Sequence, residues 1–201
     1  MKKIINLLAI ITISFCNAQI VPLHGENPNY FNGTYNKDVD NDFNKFEGVW
    51  TCNQGNRIIT VKFQKKYYVH YVDERWNYFQ DILTGEYRIL ENGTQLINTL
   101  SNYDIVPEID VWDHNIVGTN IIGVGSTPIV NGSPNERGVC LIINDPNVNY
   151  VGGEIVLNYF IENGIEKIKA RIYQSGVSVE PYENSPGMAM KFQIYIFIKV
   201  P

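Results

Sequence analysis

EIVLNYFIENGIEKIKARIY, residues 154–173, decides the fold. Two runs rich in β-branched and aromatic residues flank Asn163-Gly164, which supplies the two positive-φ positions of a type I′ turn, so 154–161 pairs with 165–173 as an antiparallel hairpin. Asn92-Gly93 repeats the signal and joins 86–90 to 94–100. Outward from these hairpins, apolar residues recur at every second position, which puts one face of each strand on a core and the other in water. Ile59, Val61 and Phe63 alternate with Ile58, Thr60 and Lys62, and Tyr67, Val69 and Tyr71 with Tyr68, His70 and Val72. In the last segment Met190, Phe192, Ile194, Ile196, Ile198 and Val200 alternate with Lys191, Gln193, Tyr195, Phe197 and Lys199, and the first set is expected to face the core. Further strands are expected over 46–52, 76–83, 115–123 and 139–143, about ten in all, and no segment has a helical period. The expected fold is all-β: a single antiparallel barrel or strongly curved sandwich over 46–201. An irregular lead-in over 19–45 precedes it. Two loops rich in Gly, Pro, Ser and Asn, 125–138 and 174–189, are long enough to carry a binding function.

Of the 201 residues 44% are hydrophobic, 12% aromatic and 18% charged, the composition of a folded globular protein. Lys2 and Lys3 precede an apolar run that ends at Cys16-Asn17-Ala18, so residues 1–18 read as a secretory signal peptide cleaved before Gln19. Phe15 is too large to precede a lipid-bearing cysteine. The run is too short for a membrane span, and no transmembrane segment is expected in the exported chain. The destination is then the periplasm, the cell surface or the medium. The net charge of −5 becomes more negative once Lys2 and Lys3 are gone, which argues against a nucleic-acid partner. Cleavage leaves Cys52 and Cys140, and two thiols in an oxidising compartment are expected to pair.

Ile20-Val21-Pro22-Leu23, Tyr35-Asn36-Lys37-Asp38, residues 42–50, Leu83-Thr84-Gly85-Glu86-Tyr87 and Glu91-Asn92-Gly93, in this order, resemble a family of exported flavobacterial proteins of similar length and unknown function. The resemblance implies export and a single domain, and transfers no catalytic residue, cofactor or partner. Gly48-Val49-Trp50 is also similar to the Gly-x-Trp of lipocalins. That likeness implies a barrel closed at one end by Trp50 beneath a late basic side chain, for which Arg171 is the nearest candidate.

Over residues 36–47, oxygen-bearing side chains fall at the spacing of a calcium-binding loop: Asn36, Asp38, Asp40, Asp42, Asn44 and Glu47. Position six is Asn41 where such loops carry Gly, so side-chain turns on a solvated lead-in are the other reading. His24, His70 and His114 lie in unrelated segments. No Gly-x-Ser-x-Gly, His-Glu-x-x-His, Walker or dinucleotide motif is present, and no catalytic residue is nominated. Paired carboxylates of a hydrolase need not be neighbours; Glu74, beside Trp76 and Tyr78, is the place to look. Aromatics concentrate at Tyr67, Tyr71, Trp76 and Tyr78, where flat apolar area with polar tips suits a ligand or a partner. The expected function is a non-enzymatic module holding a small apolar or saccharide ligand in the barrel mouth. The alternatives are an interaction or structural protein, and a hydrolase.

Overall fold

The computed structural model describes residues 19–24, 31–123, 137–176 and 182–201. The leader at 1–18 and most of the 125–138 loop lie outside these residues, as do 177–181 of the second loop. Eleven strands are present: β1 (Gln19–Pro22), β2 (Thr34–Lys37), β3 (Gly48–Gln54), β4 (Arg57–Val72), β5 (Asn77–Glu91), β6 (Thr94–Asn98), β7 (Ile116–Ile122), β8 (Gly138–Asp145), β9 (Val148–Glu162), β10 (Ile165–Ser175) and β11 (Ile194–Lys199). Eight of them, in the order β5-β4-β3-β11-β10-β9-β8-β7, close into an antiparallel barrel where β7 returns to β5. β1, β2 and β6 are additions outside the ring, and the described residues contain no α-helix.

Both Asn-Gly turns form as expected. Asn92 and Gly93 have φ of 50° and 77°, Asn163 and Gly164 of 53° and 77°, and each closes a hairpin. The expected segments around 59–63 and 67–71 are one strand. A bulge at Tyr67-Tyr68, with Tyr68 at φ 53°, absorbs a change of register and lets pairing with β5 continue from Arg57 to Val72. The lead-in is less irregular than expected. β1 and β2 pair in parallel, and β2 adds to β5 through Tyr35 and Asn36.

The lumen is a packed core, with Trp50, Tyr87, Phe63, Leu141, Leu157 and Phe197 buried in one cluster with their neighbours. Trp50, Ile59, Tyr87 and Leu157 are 0% exposed. At the level of these side chains the lumen is filled and offers no ligand cavity.

Three sequence expectations are corrected here. β11 turns Tyr195 and Phe197 inward and leaves Ile194, Ile196 and Ile198 outside. Both faces of this strand are apolar, so alternation alone does not choose between them, and a shift of one residue exchanges them. The larger aromatic pair fills the lumen. The cysteines are free. Cys52 is buried in the lumen on β3, whereas Cys140 alternates with the inward Val139 and Leu141 on β8, four strands away around the ring in either direction. At roughly 4.8 Å per strand step they lie far beyond disulfide reach. The base over Trp50 is Lys199, whose ammonium lies 5.2 Å from the ring centre, and not Arg171. Trp50 donates its indole N–H to the Phe46 carbonyl at 2.7 Å, and Gly48, at φ 109°, takes the backbone from the turn over 44–46 into β3.

The closing seam consists of three residue pairs, Leu83–Gly118, Thr84–Val117 and Gly85–Ile116. A Cβ on Gly85 would stand 2.8 Å from the Phe63 ring and 3.0 Å from the Ile116 Cβ, closer than real contacts allow. Gly85→Ala is therefore expected to destabilise the protein by about 1–3 kcal/mol, seen as a lower urea midpoint with unchanged slope.

Candidate functional site

The outer face of β5 carries a buried carboxylate. Glu86 is 0% exposed and accepts from His114 Nδ1 at 2.8 Å, Asn115 Nδ2 at 2.8 Å and Asn102 Nδ2 at 3.1 Å. These partners belong to residues 99–115, which wrap over the strand between β6 and β7. The wrap begins where the edge of β5 away from β4 has no strand partner, between its pairings with β7 and β6. At Tyr87, Thr99 supplies the missing bonds: its Oγ1 accepts from the Tyr87 N–H at 3.0 Å and its own N–H donates to the Tyr87 carbonyl at 2.9 Å. Tyr103 packs 4.9 Å from the His114 ring, and its hydroxyl lies 3.0 Å from Thr84 Oγ1. Burial pushes the Glu86 carboxyl up, but the hydrogen bonds from His114, Asn115 and Asn102 outweigh it and hold the group below its ordinary value.

The same segment presents Trp112. Asp110 caps a one-turn 3-10 helix, Val111–Asp113, by accepting from the Trp112 N–H, and the indole is left 40% exposed. One side of it meets the aromatic ribbon formed by the ends of β4 and β5. Tyr71 stands edge-on to Trp112 at 5.9 Å and stacks on Tyr78 at 5.0 Å. Tyr68 stacks on Phe79 at 4.1 Å. Of the aromatics expected at a binding surface, Tyr71 and Tyr78 thus come together, with Tyr78 buried. Tyr67 lies in the bulge itself with Lys65 Nζ 4.8 Å from its ring centre, and Trp76 sits in the turn that Asp73 caps by accepting from the Arg75 and Trp76 N–H groups. Glu74 lies exposed in that turn, next to Asp73.

On its other side Trp112 walls a cavity of about 280 Å³ in the outer surface between β7 and β8. A bulge opens it: Val117 pairs with Ile142 and Asn120 with Cys140, so Gly118 and Thr119 together oppose Leu141. Gly118 keeps the bulge close to β8: a Cβ there would lie 3.1 Å from the Leu141 side chain and 3.2 Å from its Cα, so Leu141 would have to give by a few tenths of an ångström. Asn120, Thr119, Cys140 and Glu154 supply polar groups. Tyr173 donates to Glu154 Oε2, and Cys140 Sγ lies 3.4 Å from the same oxygen. Burial and the neighbouring carboxylate push the Cys140 thiol up to about 11, so at neutral pH it is a protonated donor and not a nucleophile. Sequence reading missed Glu154, Asn120 and Tyr173 as a group, since nothing local marks which outward positions flank a bulge.

The Asx-rich stretch is built as a set of staples. Asp38 Oδ1 accepts from the Asp42 N–H, and its Oδ2 accepts from the Phe43 N–H and from Lys65 Nζ at 2.8 Å. Lys65 also donates to Asn44 Oδ1, and the Lys65 N–H donates to Glu47 Oε1. Asp40 and Asp42 both bind Arg137, and His24 lies 2.7 Å from Asp40. Asn36 is buried on β2. Apart from Asn36, whose buried amide has no hydrogen-bond partner, the side chains expected to converge on calcium are engaged by ammonium, guanidinium and backbone donors. Among the described residues no group of three His, Cys, Asp or Glu side chains is placed to hold a metal ion. The histidines stay apart, His70 beside Asn77 and His114 beside Glu86.

Fold and surface define a closed β-barrel with a packed lumen and an aromatic-walled cavity on its outside. The chain belongs to a family of unknown function (DUF6705), matched over residues 1–200. No curated protein and no solved structure matches it.

The Glu86 cluster makes stability depend on pH in a definite direction. A carboxyl whose folded value lies below its unfolded value of 4.5 contributes fully above that pH and loses its contribution as pH falls through the folded value. Urea midpoints measured from about pH 6 down to about pH 3 should fall for the wild type, and Glu86→Gln should start lower at pH 6 and fall less steeply.

Proposed function

We propose that the protein is a non-enzymatic binding module, exported from the cytoplasm, that takes a saccharide on the outside of its barrel at Trp112. The observation that carries this reading is the placement of one half-exposed indole between a stacked aromatic ribbon and a cavity with amide, hydroxyl and carboxylate groups on its wall. Sugars offer flat C–H faces to aromatic rings and hydroxyls to such polar groups, so one ligand satisfies both halves of the site. The cavity volume of about 280 Å³ suits one sugar ring more than a lipid chain. The packed lumen supports an outside site over the barrel mouth. The raised thiol of Cys140, and the engagement of Glu154 with Tyr173, support binding over nucleophilic chemistry.

An array of neutral and acidic oligosaccharides, followed by tryptophan fluorescence titration of any sugar retained, tests this reading. Trp112→Ala is expected to weaken binding by about thirtyfold, the counterpart of roughly 2 kcal/mol at a hot-spot aromatic, while Trp76→Ala leaves it within about twofold. Retention of no sugar, or binding indifferent to Trp112→Ala, would overturn it.

A further inference from the structure

The cavity beside Trp112 is lined by one charged side chain, Glu154, and no base answers it. Five glutamates stand on the described strands. Glu91 meets Arg57, Glu162 meets Lys167, Glu166 meets Lys199 and Glu86 meets His114. Glu154 alone meets no Lys, Arg or His among the described residues. The Tyr173 hydroxyl and the Cys140 thiol both address its Oε2, which leaves Oε1 without a donor from the described residues. Arg171, the nearest base by register, stands opposite Val156 on β10, two positions along from Tyr173, and forms no ion pair with a described residue. After residue 18 the stretches outside the described residues, 25–30, 124–136 and 177–181, contain no Lys, Arg or His, so the sequence holds no further base for this carboxylate.

The sign of the missing partner selects the ligand. Glu154 is half-buried on a wall that includes Val117, Leu141 and Ile142, so its carboxylate has lost part of its hydration and gains most from a ligand that brings a positive charge. Trp112 favours the same sign, because the face of an indole attracts an ammonium through its quadrupole. Thr119 and Asn120 bond hydroxyls and carry no charge to compete. An acidic sugar would meet Glu154 with like charge. We infer that the saccharide taken at Trp112 is an amino sugar with its amine unacylated, whose ammonium donates to Glu154 while its ring lies on the indole. The inference rests on the saccharide reading above and narrows it.

Trisaccharides of glucosamine and of N-acetylglucosamine differ only in the acyl group that removes the charge, and tryptophan fluorescence titration with both, at about pH 6 where the amine is protonated, tests the inference. The amine form is expected to bind about tenfold more tightly. Glu154→Gln keeps an oxygen to accept from Tyr173; it should remove that preference and leave affinity for the acetylated form within about twofold. Glu74→Gln makes the same change of net charge in the exposed turn and should leave the preference intact. Equal affinity of the wild type for the two trisaccharides, or a preference that survives Glu154→Gln, would overturn the inference and leave the saccharide reading standing. A preference lost equally in Glu74→Gln would overturn it too, since net charge would then be its source. Binding of neither trisaccharide would overturn the inference, and the saccharide reading with it only if the oligosaccharide array also retains nothing.

Discussion

Barrel closure rests on the short contact between β5 and β7. Three residue pairs complete the ring, and they can approach because residue 85 has no side chain to hold Phe63 and Ile116 apart. The five residues Leu83-Thr84-Gly85-Glu86-Tyr87 divide the work of this seam by alternation. Leu83 and Tyr87 fill the lumen, while Thr84 and Glu86 face outward and fasten Tyr103, Asn102, His114 and Asn115. Closure takes only the middle of β5. Its start is left to β2 and its end to β6, and the early half, zipped to the far end of β4, stands beyond the ring as the aromatic ribbon. The position of Trp112 follows, since the segment that carries it is held down by Glu86 and leads directly into β7.

Much of this was legible where the deciding chemistry is local. Asn92-Gly93 and Asn163-Gly164 need no tertiary information to be turns, because their backbone freedom is their own. Alternation identified the inward Ile59, Val61 and Phe63, whose opposite face carries a threonine and a lysine. It misassigned β11, where both faces are apolar and the choice was made by fit into the lumen. The β5–β7 pairing joins segments more than thirty positions apart through three residue pairs, and no neighbouring residue announces it. The candidate site divides in the same way. Tyr71 and Tyr78 could be nominated because a hairpin brings them together, whereas Asn120, Cys140 and Glu154 meet through a bulge and a three-strand register.

The acidic stretch before β3 illustrates how one composition admits two physical readings. Its oxygens have a spacing suited to a cation, and cations do neutralise them, but they are Lys65 and Arg137. Asp81, itself fully buried, extends the network. It sits opposite the β4 bulge and accepts from the Tyr68 N–H, the Asp38 N–H and the Tyr35 hydroxyl. Buried ion pairs contribute little net stability beside apolar packing, yet each leaves a large penalty for any arrangement that separates its members. Here they fix where the lead-in lies and where the bulge falls, and so the angle at which the aromatic ribbon leaves the barrel.

The separation of the two thiols has a practical side. One is sealed among lumen side chains, while the other lines the outer cavity a few ångströms from the groups that would meet a ligand. Burial raises both thiols above their ordinary value, so in the folded chain each resists alkylation and becomes reactive only as the barrel opens. Thiol uptake is thus a built-in gauge of the unfolded fraction, and because no cross-link joins Cys52 to Cys140, the chain can be unfolded and refolded in reductant without disturbing its covalent structure.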